Sequence, residues 1–179
     1  ENDDEIRASS SRGPASDGRI KPDLAAHGAG HMSTDPNNTY APGGGTSAAA
    51  PGVAGVMAQL HHAYRDLNGS VAHSGLLKAT MLVTANDLGN EGPDFTFGWG
   101  KVNALKALNL IEENRFFDGT ITQGGALNHT ITIPNNVKRA RVMVYWVDKE
   151  ASTTASQALV NDLDCAVTDP SGGTHLPWV

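Results

Sequence analysis

A chain of 179 residues corresponds to about 1.2 average domains, enough for one full core and part of a second. Charged residues at 18%, with 20 Gly and 9 Pro, exclude a disordered or fibrous chain. The longest apolar run, Val142 to Val147, falls far short of the roughly 20 residues that cross a bilayer. A formal charge of −6 argues against nucleic-acid binding through phosphates, and a single cysteine, Cys165, excludes an internal disulfide or a multi-cysteine metal site.

In chain order, the opening Glu1-Asn2-Asp3-Asp4-Glu5 is acidic, unlike the positive start of a secretory signal, so a signal for export would have to lie outside this chain. Residues 1–115 are rich in Ala and Gly, with helix-like periodicity between Gly/Pro/Asp/Asn loops. The first predicted helix starts at Thr46 or Ser47 and runs to about Tyr64. Val53, Val56, Met57, Leu60 and Tyr64 form its apolar stripe, Ala and Gly fill the other faces of what should be a buried helix, and Pro51 is expected in its first turn. A second helix is predicted from Ser74, as N-cap, through Leu77 and Met81. A third runs from Asn103 to Asn114, with Leu105, Leu108 and Ile111 on one face.

Residues 112–119 are the expected seam, and residues 116–179 alternate apolar with polar side chains. Leu127, His129, Ile131 and Ile133 predict one strand, Val142, Val144 and Trp146 a second, and Leu163, Cys165 and Val167 a third. The turns fall at Gly124-Gly125, Pro134-Asn135-Asn136 and Asp169-Pro170-Ser171-Gly172-Gly173. The basic cluster Lys138-Arg139-Ala140-Arg141 is expected to be a solvated strand entry. With about four strands this is part of a β-sandwich or jelly roll.

The chemically informative stretch is Gly43-Gly44-Gly45-Thr46-Ser47-Ala48-Ala49-Ala50-Pro51-Gly52-Val53-Ala54-Gly55. Three glycines deliver a serine to a helix start, where unpaired N–H groups and the helix dipole favour a developing oxyanion. An ordinary N-cap serine would fit the same local pattern. The longer pattern of Gly-Thr-Ser, two small residues, Pro and Val-Ala-Gly resembles the nucleophile signature of the subtilisin-like serine proteases. Ser10-Ser11-Arg12-Gly13-Pro14, Lys21-Pro22-Asp23 and Gly98-Trp99-Gly100-Lys101-Val102-Asn103-Ala104 are similar to further motifs of that family, in the family's order. Leu159 to Asp164 and Asp169 to Gly172 resemble the jelly-roll domain of its long alkaline members.

The resemblance implies an α/β fold: the C-terminal portion of a subtilisin-like parallel-sheet domain (1–115), followed by part of an all-β jelly-roll segment (116–179). It implies that Ser47 is the nucleophile of a serine-type endopeptidase acting on polypeptide, in a secreted or extracellular parent. The Ser47 N–H would be an oxyanion donor, with Gly45 and Thr46 supporting the hole, and the Thr46 hydroxyl could also cap the backbone. The family's Asp and His motifs and its oxyanion asparagine belong upstream of a region like Ser10 to Pro14, and nothing of that kind precedes it here. The isolated chain is therefore expected to be inactive, and to pair with the missing N-terminal part of the catalytic domain or with another copy of itself. Its departures from the pattern are Ala48 where Met is usual, Gly52 where His is common, and His27 where Pro is usual.

His27-Gly28-Ala29-Gly30-His31 echoes the family's histidine motif but stands in the loop twenty positions before Ser47, so both histidines are expected to be loop residues. His61 and His62 would lie about 20 Å down the helix, out of reach. The chemistry requires no cofactor. Asp162 and Asp164, two apart on a predicted strand, either hold a structural calcium, as jelly-roll domains of the long members do, or blunt a solvated strand edge. Two other readings remain from sequence: a processed chain that cleaves nothing, and a binding module whose sandwich half recognises carbohydrate or protein.

Overall fold

A computed structural model of the chain describes residues 5–156 and 158–178. The elements are β1 (His31–Asp35), β2 (Thr39–Gly43), α1 (Thr46–Asn68), α2 (Ser74–Thr84), α3 (Ala104–Glu112), β3 (Val167–Thr168) and β4 (Thr174–His175). β1 and β2 form an antiparallel hairpin in register from His31–Gly43 to Asp35–Thr39. Its tip, Pro36-Asn37-Asn38, places both asparagines at positive φ (64° and 57°), a conformation asparagine tolerates better than most residues. His31 therefore opens a strand and is not a loop residue.

The three predicted helices are present, with different ends. α1 continues past Tyr64 to Asn68, where Gly69 (φ 67°) turns the chain and its N–H bonds the Arg65 carbonyl at 2.8 Å. Pro51 is the sixth residue of α1, not part of its first turn, and its missing N–H deprives the Ser47 carbonyl of its i+4 donor. The N-cap of α2 is His73, so Ser74 is already helical. At α3 the Asn103 side chain accepts the Lys106 N–H at 2.9 Å, a capping bond.

The core gathers Leu60 of α1, Ala72, Leu77 and Met81 of the α2 region, and Ala107 and Ile111 of α3, with Val53, Val56, Met57 and Tyr64 packed against it. This is the stripe expected for α1. The α3 face differs, because Leu105 is 68% exposed. At about 100° per residue, Leu105 lies some 120° around the helix from Ile111, whereas Ala107 lies about 40° from it. The remaining faces of α1 are solvent-exposed, and Leu60 is its one fully buried residue. The expectation of a buried helix therefore fails here, where the Ala/Gly faces have no neighbour covering them among the described residues.

Lys101 links the motifs. It forms a parallel bridge with Ala25 and an antiparallel one with Asn86. The Trp99 N–H reaches the Asp23 carbonyl at 3.0 Å, and Asn86 and Lys101 exchange two bonds of 2.8 Å. Gly100 (φ 113°) is required there, because a Cβ would stand 2.1 Å from the Asn86 oxygen. Asp23 also meets Lys21 (2.8 Å) and Lys78 (3.2 Å), and Lys78 lies over the Tyr145 ring at 5.6 Å. Burial opposes charge on both partners, yet the ion pairs outweigh it. Asp23 is held below the ordinary carboxylate pKa and Lys78 above the ordinary amine value.

Beyond α3 the strand expectations largely fail. Residues 127–133 and 142–146 carry no ladder among the described residues, and Leu127, Ile131, Ile133, Val142 and Val144 are exposed. Of the run Leu163 to Val167, only Val167 is in a strand. Alternation states which face a strand would bury, but a strand exists only where a second backbone accepts its hydrogen bonds. Arg139 pairs with Glu91 at 2.5 Å, and Arg141 reaches the Ala85 carbonyl (2.9 Å) and Asp87 (3.5 Å). The basic cluster thus ties this segment to the helical part and is not merely a solvated strand entry.

Candidate functional site

β2 runs directly into Gly43-Gly44-Gly45 and so into α1. The turn is made by Gly45, the N-cap, at φ 88° and ψ −177°, a conformation essentially confined to glycine. Its N–H donates to the Gly28 carbonyl at 2.6 Å. A Cβ on Gly28 would stand 2.8 Å from the Gly45 oxygen and 3.5 Å from Ala49, so the two loops meet backbone to backbone. The Arg7 guanidinium joins them, 3.4 Å from the Gly28 oxygen.

The Gly45 carbonyl accepts the N–H groups of Ala48 (3.0 Å) and Ala49 (3.2 Å). The Thr46 and Ser47 amides, one step earlier, have no acceptor among the described residues, and both residues are exposed. The Ser47 hydroxyl is likewise unpartnered among them, and neither Gly45 nor Thr46 supplies a side-chain cap. Two free amides and a free hydroxyl at the positive end of a 23-residue helix can bind a developing oxyanion and attack a carbonyl, once a base accepts the proton.

The nearby histidines make no hydrogen bond to Ser47 among the described residues. His31 Nε2 contacts the His27 carbonyl at 2.8 Å, and the two rings meet edge to face at 5.0 Å. His62 is engaged by Asp66 (3.1 Å) and Arg65 (3.0 Å) far along α1. An open groove of about 620 Å³ lies between α1 and α3 against Val56, Leu60, Ala63, Ala104 and Leu108, on the half of α1 remote from Ser47.

Asp162 and Asp164 are exposed and lie outside any strand, because their segment has no pairing partner there. Among the described residues no three His, Cys, Asp or Glu side chains gather at metal-binding distance. A calcium site of six to eight oxygens would need donors beyond these two solvated carboxylates.

The fixed carboxylates are others. Asp148 accepts the N–H groups of Val160 (2.7 Å) and Asn161 (3.1 Å) and the Asn161 side chain (2.6 Å), and these bonds lower its pKa. Asp169 accepts the Ser171 hydroxyl (2.6 Å), His175 (3.0 Å) and the Gly173 N–H (3.0 Å), which hold it far below the ordinary value. Asp169 opens the marked stretch Asp169–Gly172, whereas Asp148 carried no signal of its own and only its partners Val160 and Asn161 fall in the marked stretch Leu159–Asp164. Arg7 carried no signal, because its partner is a backbone oxygen 21 positions away.

A profile described as the subtilase family matches residues 1–100. C5a peptidase of Streptococcus pyogenes is 39% identical over 106 residues, which is 55% of this chain and 9% of that protein. An extracellular serine protease of Serratia marcescens is 38% identical over 84 residues, 47% of this chain and 7% of that protein. The chain therefore spans less than a tenth of these relatives. Among solved structures, the CspB protease of Clostridium perfringens superposes with a TM-score of 0.50 at 28% identity, over 56% of this chain and 23% of that one.

Proposed function

The chain belongs to the subtilase family, and on that premise we propose that it is the nucleophile-bearing part of a secreted serine endopeptidase acting on polypeptide. Ser47 Oγ attacks the scissile carbonyl, and a base takes the hydroxyl proton. The C=O electron pair moves onto oxygen and is met by the Thr46 and Ser47 amides. Collapse expels the amine, which receives that proton, and water hydrolyses the Ser47 acyl ester by the same steps. The proposal rests on one observation: an exposed Ser47 hydroxyl beside two unpaired amides at the start of α1. The names of the relatives support the reaction class, and the extracellular Serratia enzyme supports export.

The base and its orienting carboxylate come from a segment N-terminal in the family's order, so the 179-residue chain by itself does not cleave peptides. That segment is also the partner proposed for the exposed Ala/Gly faces of α1. Residues 1–115 are its counterpart within the catalytic domain, and 116–179 are assigned by resemblance to part of a jelly-roll domain, of which only the short β3–β4 pair is formed among the described residues.

Fluorophosphonate labelling tests the reading. The chain combined with a polypeptide carrying the family's Asp and His motifs should label on Ser47, and Ser47→Ala should abolish labelling without unfolding. Absence of label in the combination would refute the nucleophile assignment. Peptide cleavage by the chain alone that disappears in Ser47→Ala would refute the inactivity.

A further inference from the structure

The sequence rules for helix starts favour acids in the first turn and disfavour cations beside it. α1 has no acidic residue in its first turn, and the charge beside its start is Arg7. A Cβ on Gly44 would stand 3.3 Å from Arg7 Nη1, so the guanidinium lies against the glycine approach to the nucleophile. Its hydrogen-bond acceptor is the Gly28 oxygen, the same atom that holds the Gly45 N–H at 2.6 Å. Gly28 O is thus a two-donor anchor, and the N-cap geometry of α1 depends on it. Arg7 itself is exposed and makes no other hydrogen bond among the described residues, so its one contact is with the oxygen that seats Gly45. A cation held where a helix start disfavours one fits a role at the site beside it.

We propose that Arg7 is a positioning residue for the Ser47 site: its guanidinium braces the Gly28 carbonyl that sets Gly45, and places positive charge beside the amides that receive the oxyanion. This rests on Ser47 being the nucleophile, whereas the brace to Gly28 is a separate physical claim that can be tested without chemistry. The guanidinium is one of two donors on the anchor, so its loss loosens the N-cap without melting the helix. At 3.4 Å the contact is longer than a tight charge-assisted bond, so the expected effect is at most about tenfold.

The first measurement is the ¹⁵N–¹H spectrum and amide exchange of the 179-residue chain. In Arg7→Ala the Gly45 amide should shift and exchange faster, by up to about tenfold, while the Lys101 amide, bonded to Asn86 far from the brace, stays unchanged. Arg7→Lys should restore Gly45 towards wild type. The second measurement is steady-state kinetics in a protease carrying this chain within its complete catalytic domain. Arg7→Ala should lower kcat by up to about tenfold with KM nearly unchanged, Arg7→Lys should recover most of it, and Arg7→Gln should recover less. A Gly45 amide indifferent to Arg7→Ala, or a lysine variant no better than alanine in both measurements, overturns the proposal. An unreactive Ser47 in the complete wild-type domain would refute the nucleophile reading instead, leaving the Gly45 result to decide the brace.

Discussion

Two glycines seven residues apart should respond to the same substitution with opposite signs. Gly45 has φ 88° with ample room: the nearest heavy atom to an added Cβ is Ser47 N at 4.0 Å. The cost of Gly45→Ala is therefore backbone strain alone, about 1–3 kcal/mol for a non-glycine residue in this region. Gly52 lies within α1 at ordinary helical φ, with nothing within 4 Å of the Cβ position. Alanine there restricts the unfolded chain and suits the helix, a gain of roughly 0.5–1 kcal/mol. The two variants should therefore differ by about 1.5–4 kcal/mol in urea unfolding of the 179-residue chain followed by far-UV circular dichroism. Gly45→Ala should also weaken the 2.6 Å bond to Gly28 and speed exchange of that amide. Equal midpoints, or a Gly45→Ala midpoint above wild type, would refute the assignment of Gly45 to a strained N-cap. The sign at Gly52 also reports on assembly, because a partner packed on that face of α1 would turn the gain into a loss.

Leu60, 2% exposed at the meeting of all three helices, should cost about 2–5 kcal/mol on Leu60→Ala, whereas Leu105→Ala at 68% exposure should stay within about 0.5 kcal/mol in the same urea titration. The Asp23 ion pairs predict an acid limb. With the folded pKa below the unfolded value of about 3.8, their contribution is complete above that pH and is lost as pH falls through the folded value. Lys78 gives the mirror case at the alkaline end, where stability is lost as pH rises through its raised folded value. Asp23→Asn should flatten the low-pH limb of the unfolding midpoint, and an unchanged limb would show that the carboxylate is not held by its lysines.

The helical part was largely legible in the sequence because its signals are local. A stripe from Val53 to Tyr64, Asn103 before α3 and a glycine-delivered Ser47 all act within a few residues of themselves, and the structure builds the helices there. The misplacements were geometric. Three-residue spacing drifts around a helix, so Leu105 left the core that Ala107 entered.

The residues around 116–178 show the opposite limit. Alternation at Leu127–Ile133 and Val142–Trp146 encodes an appetite for a sheet, but the hydrogen-bonding partners of a strand are remote in sequence, and no ladder forms there among the described residues. Tertiary structure alone decided that Arg139 and Arg141 fasten this segment to Glu91 and Asp87, that Asp148 holds residues 160 and 161, and that Arg7 meets Gly28 beside Gly45. The distinction is physical: caps, periodicity and glycine φ preferences are written in neighbouring residues, whereas which backbone oxygen a distant guanidinium finds depends on how the chain folds back on itself.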